Sequence, residues 1–167
     1  MFPRSQHVFV ENCFIDCVLD GQAFSVYLWD TAGQQCYSHL RPLCYPGTDV
    51  FLIFYSPCLR QSFNAVADIW QHEVKHFCPG VPYILVAAKI DLLDDEETLS
   101  NLISLGESPV SHDEGVEMAN KIGAADFLEV SSLKGVNLNR AVELACTVAL
   151  DDLERRKRAR RIACHLL

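Results

Sequence analysis

Tyr83-Ile84-Leu85-Val86-Ala87-Ala88-Lys89-Ile90-Asp91 is the stretch that decides the fold class. Its six apolar residues run without the polar alternation of a half-solvated strand, as expected where both faces are covered. Both-face burial implies a parallel sheet with helices on either side. Val50-Phe51-Leu52-Ile53-Phe54-Tyr55 is a second run of this kind. Between the two, Phe63, Val66, Trp70 and Val74 recur at helical spacing and stop at Cys78-Pro79-Gly80. Upstream, Phe9 to Leu19 is rich in Val, Phe and Ile, Asp20-Gly21 is a turn dipeptide, and Phe24 to Trp29 follows, which predicts a β-hairpin. Downstream, Ser111-His112-Asp113-Glu114 is a capping box opening a helix to about Ile122. Phe127-Leu128-Glu129-Val130 is a short strand, and a helix from about Leu138 toward Glu154 carries Ala141, Leu144, Ala145, Val148 and Ala149 on its apolar stripe. This alternation describes an α/β three-layer domain.

The 167 residues fit one domain, and half of them are apolar, enough for a single core. No run of about 18 apolar residues exists to span a bilayer as a helix, and Met1-Phe2-Pro3-Arg4 is followed by no apolar signal segment. A cytosolic chain is the expectation. The eight cysteines form no C-x-x-C pair, so most read as small buried hydrophobes. The net charge of −8 hides two parts. Six of the 14 basic residues are Arg155, Arg156, Lys157, Arg158, Arg160 and Arg161, leaving eight against all 22 acidic ones in residues 1–154. An acidic body of that kind excludes nucleic acid as a partner, whereas the basic run attracts anionic lipid head groups.

Three strand ends carry chemistry. Leu28-Trp29-Asp30-Thr31-Ala32-Gly33-Gln34 sets an Asp at the end of a strand before a small turn. In phosphate-binding hydrolases an Asp there orients Mg²⁺, the Gly N–H bonds the γ-phosphate and the Gln positions the attacking water. An ordinary strand-ending turn is the plain alternative. Ala88-Lys89-Ile90-Asp91 ends a strand at the carboxyl edge, where ligands bind in open α/β sheets. There Asp91 can accept from the N1–H and N2–H₂ edge of guanine, and Lys89 can lay its stem along the ring. Val130-Ser131-Ser132-Leu133-Lys134 closes another strand at the same edge, with backbone N–H groups for the guanine carbonyl.

From about residue 8 onward the chain resembles Rho/Rac-type small GTPases. The resemblance rests on Trp29-Asp30-Thr31-Ala32-Gly33-Gln34, Tyr37, Leu40-Arg41-Pro42-Leu43, Tyr45-Pro46, Thr48 to Leu52, Ser62-Phe63, Trp70 and His76-Phe77-Cys78-Pro79. Asp94 to Gly106 also occupies the place of the helical insert that marks the Rho branch. The resemblance implies a three-layer P-loop-type fold, GTP hydrolysis and Mg²⁺ bound with GTP or GDP. Gln34 would be the hydrolysis residue and Asp30 the indirect Mg²⁺ partner. Asp30, Thr31, Ala32, Gly33, Lys89, Asp91, Ser131, Ser132 and Leu133 would contact nucleotide. Tyr37, Leu40, Arg41 and Leu43 would form the second-switch surface for exchange factors and dissociation inhibitors, with GTPase-activating proteins and effectors of Rho type as further partners.

The pattern fails at its front. The family begins with a strand, G-x-x-x-x-G-K-[ST] and a helix, and no such segment occurs in these residues. The glycine-rich backbone and Lys that hold the phosphates, and the hydroxyl that holds Mg²⁺, are therefore missing. The missing strand normally separates those ending at Trp29 and Tyr55. Counting back from Asp20-Gly21, Val8 falls at the Mg²⁺-binding Thr of the first switch, or His7 if a bulge intervenes. Ala88 stands for an Asn or Thr, and Gln35-Cys36 for an acidic pair. The abrupt start leads us to expect a truncated chain, with residues 1–154 an incomplete GTPase domain and 155–167 a polybasic tail.

Cys164-His165-Leu166-Leu167 fits C-a-a-X loosely, and a terminal Leu favours geranylgeranyl transfer to Cys164. A prenyl chain plus a basic run is a two-signal anchor for the cytoplasmic face of membranes. Two readings follow: a Rho-type GTP-binding switch with impaired hydrolysis, or a non-hydrolysing, membrane-tethered interaction protein. A remote third comes from His72-Glu73-Val74-Lys75-His76, the H-E-x-x-H of zinc peptidases. Its helix ends at once in Phe77-Cys78-Pro79-Gly80, and no third ligand follows.

Overall fold

The computed structural model describes residues 10–19 and 21–165, with side chains over 12–19 and 21–158. His7, Val8, the Asp20 half of the turn and the Cys164 side chain lie outside those residues. The chain divides into two compact units, one ending at Gly47 and one starting at Thr48.

The first unit is built on the expected hairpin. Strand β1 (Val10–Leu19) pairs antiparallel with β2 (Gln22–Thr31), with Leu19 opposite Gln22, and Gly21 takes φ +77 in the turn. Gly is the residue that adopts that conformation without a Cβ clash. Alternation follows the strand period of two. Ile15, Cys17, Phe24, Val26 and Leu28 are half-buried, whereas Phe14, Val18, Tyr27 and Trp29 are exposed on the other face. Two 3₁₀ turns, Gln35–Tyr37 and Arg41–Cys44, complete the unit.

The second unit has three layers. Strands β3 (Phe51–Tyr55), β4 (Tyr83–Ala88) and β5 (Asp126–Val130) form an all-parallel sheet in that order. Ile53, Tyr55, Tyr83, Leu85 and Ala87 face one way, onto Phe63, Val66 and Val74 of one helical segment and Ala119 and Ile122 of another. The first segment comprises α1 (Arg60–Ala65), a π turn (Val66–Trp70) and α2 (Gln71–Phe77); the other is α4 (His112–Ile122), preceded by α3 (Glu96–Ser104). Ile84, Val86 and Val130 face the other way, onto Leu144 and Ala145 of α5 (Leu138–His165). Ile84, Leu85 and Val86 are 0–1% exposed, and full burial of such side chains stabilises by about 1.5–3 kcal/mol each.

Polar bonds fix the helix ends. Ser111 accepts from the Glu114 amide at 3.2 Å while the Glu114 carboxylate accepts from the Ser111 amide at 2.9 Å, the capping box read from the sequence. At the other end of α4, the Ile122 carbonyl accepts from Gln71 at 2.9 Å, from Lys75 at 3.1 Å and from the Tyr83 hydroxyl, which binds α2 and β4 to the same carbonyl.

Two expectations need correction. Strand β3 is covered on its second face only in part: Val50 and Leu52 pack against the cluster shared with α5, but Phe54 is 51% exposed. The last helix does not stop near Glu154 but continues to His165. Arg and Lys propagate a helix well, so a basic run gives no stop signal. Among the described residues no helix is long and apolar enough to cross a membrane.

Candidate functional site

The carboxyl ends of β4 and β5 emerge side by side, since Ala88 and Val130 are register partners. The chain leaves β4 through Lys89, which takes the left-handed φ of +61, and enters the short 3₁₀ helix Ile90–Asp94. A left-handed non-glycine residue is strained unless its surroundings hold it, and such positions cluster at ligand sites. Here the reversal keeps Lys89 exposed and half-buries Asp91.

From β5, Ser131 arrives 0% exposed, and its hydroxyl donates to Asp91 Oδ1 at 2.5 Å. The Ser131 hydroxyl oxygen in turn accepts from the Lys134 amide at 3.0 Å, and the Ser131 amide and carbonyl both bond Val136. The Asp91 carboxylate is thus held by a buried hydroxyl that is itself fixed by its own loop. The sequence pointed to the backbone of Ser131 to Leu133 and not to this side-chain bond; the alignment of the two strand ends was the signal for it. Conversely, the Ser131 amide is occupied by Val136. Leu133, in the same loop, is exposed.

The surroundings are acidic. Asp94 pairs with Lys134 at 2.8 Å, which raises the lysine's pKa, and Asp95 caps α3 by accepting from the Thr98 amide at 2.9 Å. Burial, then the charges of Asp91 and Asp95, push the Cys58 thiol up, so Cys58 remains protonated beside the site. Carboxylates gathered at this edge favour hydrogen-bond donors and disfavour phosphate.

In the first unit, Asp30 and Thr31 end β2, Thr31 and Ala32 are half-buried, and Gly33 and Gln34 are exposed. Tyr37 is half-buried, Leu40 37% exposed and Leu43 73% exposed. Arg41 departs from expectation. It does not present its guanidinium to partners: it is 3% exposed and donates from Nη1 to the Ala32 carbonyl at 2.8 Å and the Gln34 carbonyl at 3.4 Å. An Arg in an exposed loop reads from sequence as a surface residue, but here the backbone carbonyls of the turn are its acceptors.

A family model, the Ras family, matches residues 2–150. The chain belongs to the Ras family. It is accordingly a small GTPase switch of α/β type, from a family that binds guanine nucleotide, regulators and effectors and typically takes Mg²⁺ with the nucleotide. Among the described residues no group of three His, Cys, Asp or Glu side chains could cage a metal, and the two hydroxyl ligands of the family pattern do not occur in these 167 residues. The same observation leaves His72 and His76 without a third zinc ligand among the described residues; both are exposed on α2, and His76 stacks edge-on against Phe77.

Proposed function

We propose that this Ras-family chain is a Rho-type signalling protein that recognises guanine through Asp91, Lys89 and the Ser131–Leu133 loop and is impaired in GTP hydrolysis. The observation that carries it is the Ser131–Asp91 bond. A buried hydroxyl holds a base-selecting carboxylate at the joint edge of β4 and β5. Support for the Rho type comes from the Trp29 to Gln34 and Leu40 to Leu43 motifs and from α3, a capped helix at the place of the Rho insert. Impairment is argued from the missing phosphate loop. Gln34 can orient a water only if a γ-phosphate is held beside it, and positioning supplies most of the catalysis in phosphoryl transfer. Exchange factors, dissociation inhibitors and effectors of Rho type would meet Tyr37, Leu40 and Leu43. The protein would act in the cytoplasm and dock on membranes through a prenyl group on Cys164 and the basic run from Arg155 to Arg161.

Phosphate release from GTP by the 167-residue chain should not exceed the no-protein blank, and Gln34→Leu should change nothing. Multiple turnovers that Gln34→Leu abolishes would contradict the proposal.

The interaction-protein reading is favoured by one observation. The Ala32–Gln34 turn is braced by Arg41, a group of the chain itself, while Leu43, two residues on, is exposed.

A further inference from the structure

Arg41 begins the 3₁₀ turn Arg41–Cys44, and its side chain is buried. A buried guanidinium is costly unless its N–H groups meet acceptors, so the carbonyls it reaches are firmly specified. Two of them, Ala32 O at 2.8 Å and Gln34 O at 3.4 Å, are reached by the same nitrogen, whose two hydrogens can serve one each. They flank Gly33. The described chain has no cis peptide, and in a planar trans peptide the carbonyl of one residue and the N–H of the next point in opposite directions. Drawing the Ala32 oxygen onto Arg41 therefore aims the Gly33 N–H away from Arg41. The Gln34 carbonyl and the Gln35 N–H are linked in the same way.

We infer that Arg41 is a positioning residue that sets the direction of the Gly33 N–H and the shape of the Ala32–Gln34 turn from inside the protein. The turn then keeps one shape with or without a γ-phosphate, and a partner reading Leu40 and Leu43 meets the same surface in either state. The consequence for hydrolysis rests on reading the Gly33 N–H as a phosphate donor, but the shape of the turn does not. Failure of nucleotide binding would overturn the proposed function and leave this inference standing.

Backbone ¹⁵N relaxation on the full chain tests it. Without nucleotide, Gly33 and Gln35 should show order parameters near the rigid value of about 0.85, unchanged by added GTP. In Arg41→Met, which keeps the apolar stem and removes the donors, both should fall below about 0.6 while β1 and β2 hold their values. Arg41→Lys, with its charge kept and the fork lost, should fall part-way. A flexible Gly33 in the unliganded wild type would overturn the inference. So would wild-type rigidity in Arg41→Met, or equal loosening of the turn and the hairpin. Should Arg41→Met fail to fold, an Arg41→Lys chain as rigid as wild type at both residues decides against it.

Discussion

Asp91 and Ser131 define the site at the scale of single residues. Ser131→Ala would leave the Asp91 carboxylate without its buried donor. A hydrogen bond to a charged group contributes about 1.5–3 kcal/mol, of which a half-exposed carboxylate regains part from water. Guanosine affinity, measured by calorimetry, should fall about tenfold in Ser131→Ala; an unchanged affinity would mean that the bond does not orient the selector. Tyr55 gives a pH dependence. Burial first, then the negative charges of Glu129 and Glu114, hold its hydroxyl protonated well above the usual tyrosine value of 10.0, against a lowering by Arg60. The folded pKa lies above the unfolded one, so this group's stabilising contribution is complete below pH 10.0 and is lost as the pH rises beyond it. Urea midpoints should therefore decline less steeply above that pH in Tyr55→Phe than in wild type. Equal slopes would show that Tyr55 takes no part.

At the scale of elements, Gly115 shows how tightly α4 sits on the sheet. A Cβ there would lie 2.5 Å from Phe127 Cζ and 2.6 Å from the Tyr55 hydroxyl, so something must move. Gly115→Ala should lower stability by about 1–3 kcal/mol despite its better helix propensity, read from urea unfolding. A stabilised variant would show that α4 can shift at no cost. The elements themselves were largely legible. The apolar runs at Phe51 and Tyr83, the Ser111 and Glu114 cap, and the Asp20-Gly21 turn between Leu19 and Gln22 each rest on local chemistry. What was not legible depends on packing. No periodicity announces that Phe54 stays exposed or that Arg41 turns inward to two carbonyls, since both depend on what lies above or beneath the residue. The continuation of α5 past Glu154 was missed for a different reason. Asp152, only 6% exposed, pairs with Arg155 and Arg156, and Arg156 also donates to the Gly80 carbonyl at 2.9 Å. Those two arginines therefore belong to the folded body as well as to the basic run.

At the scale of the whole molecule, the residues proposed to read the base and those proposed to meet phosphate fall in different compact units. Lys89, Asp91 and Ser131 to Leu133 lie within one compact unit, on two neighbouring strand ends, whereas Asp30 to Gln34 belong to the other unit. The motifs of both were visible in the sequence, because each strand end carries its own signature. The missing partners were visible too, since no glycine-rich loop with Lys and Ser or Thr occurs in the 167 residues. The acidic excess of residues 1–154, 22 acidic against eight basic side chains, cannot substitute for that loop, because carboxylates repel phosphate.

The most direct measurement is a calorimetric titration of the folded 167-residue chain with guanosine, GDP, GTP and ATP, each with and without Mg²⁺. Binding energy taken from the base alone predicts micromolar affinity for all three guanine compounds, equal within about tenfold and insensitive to Mg²⁺, with no detectable binding of ATP. Nanomolar, Mg²⁺-dependent binding of GTP would show that a phosphate grip exists after all. No micromolar or tighter binding of any guanine compound would contradict the assignment of Asp91 and Ser131 as the base-reading pair.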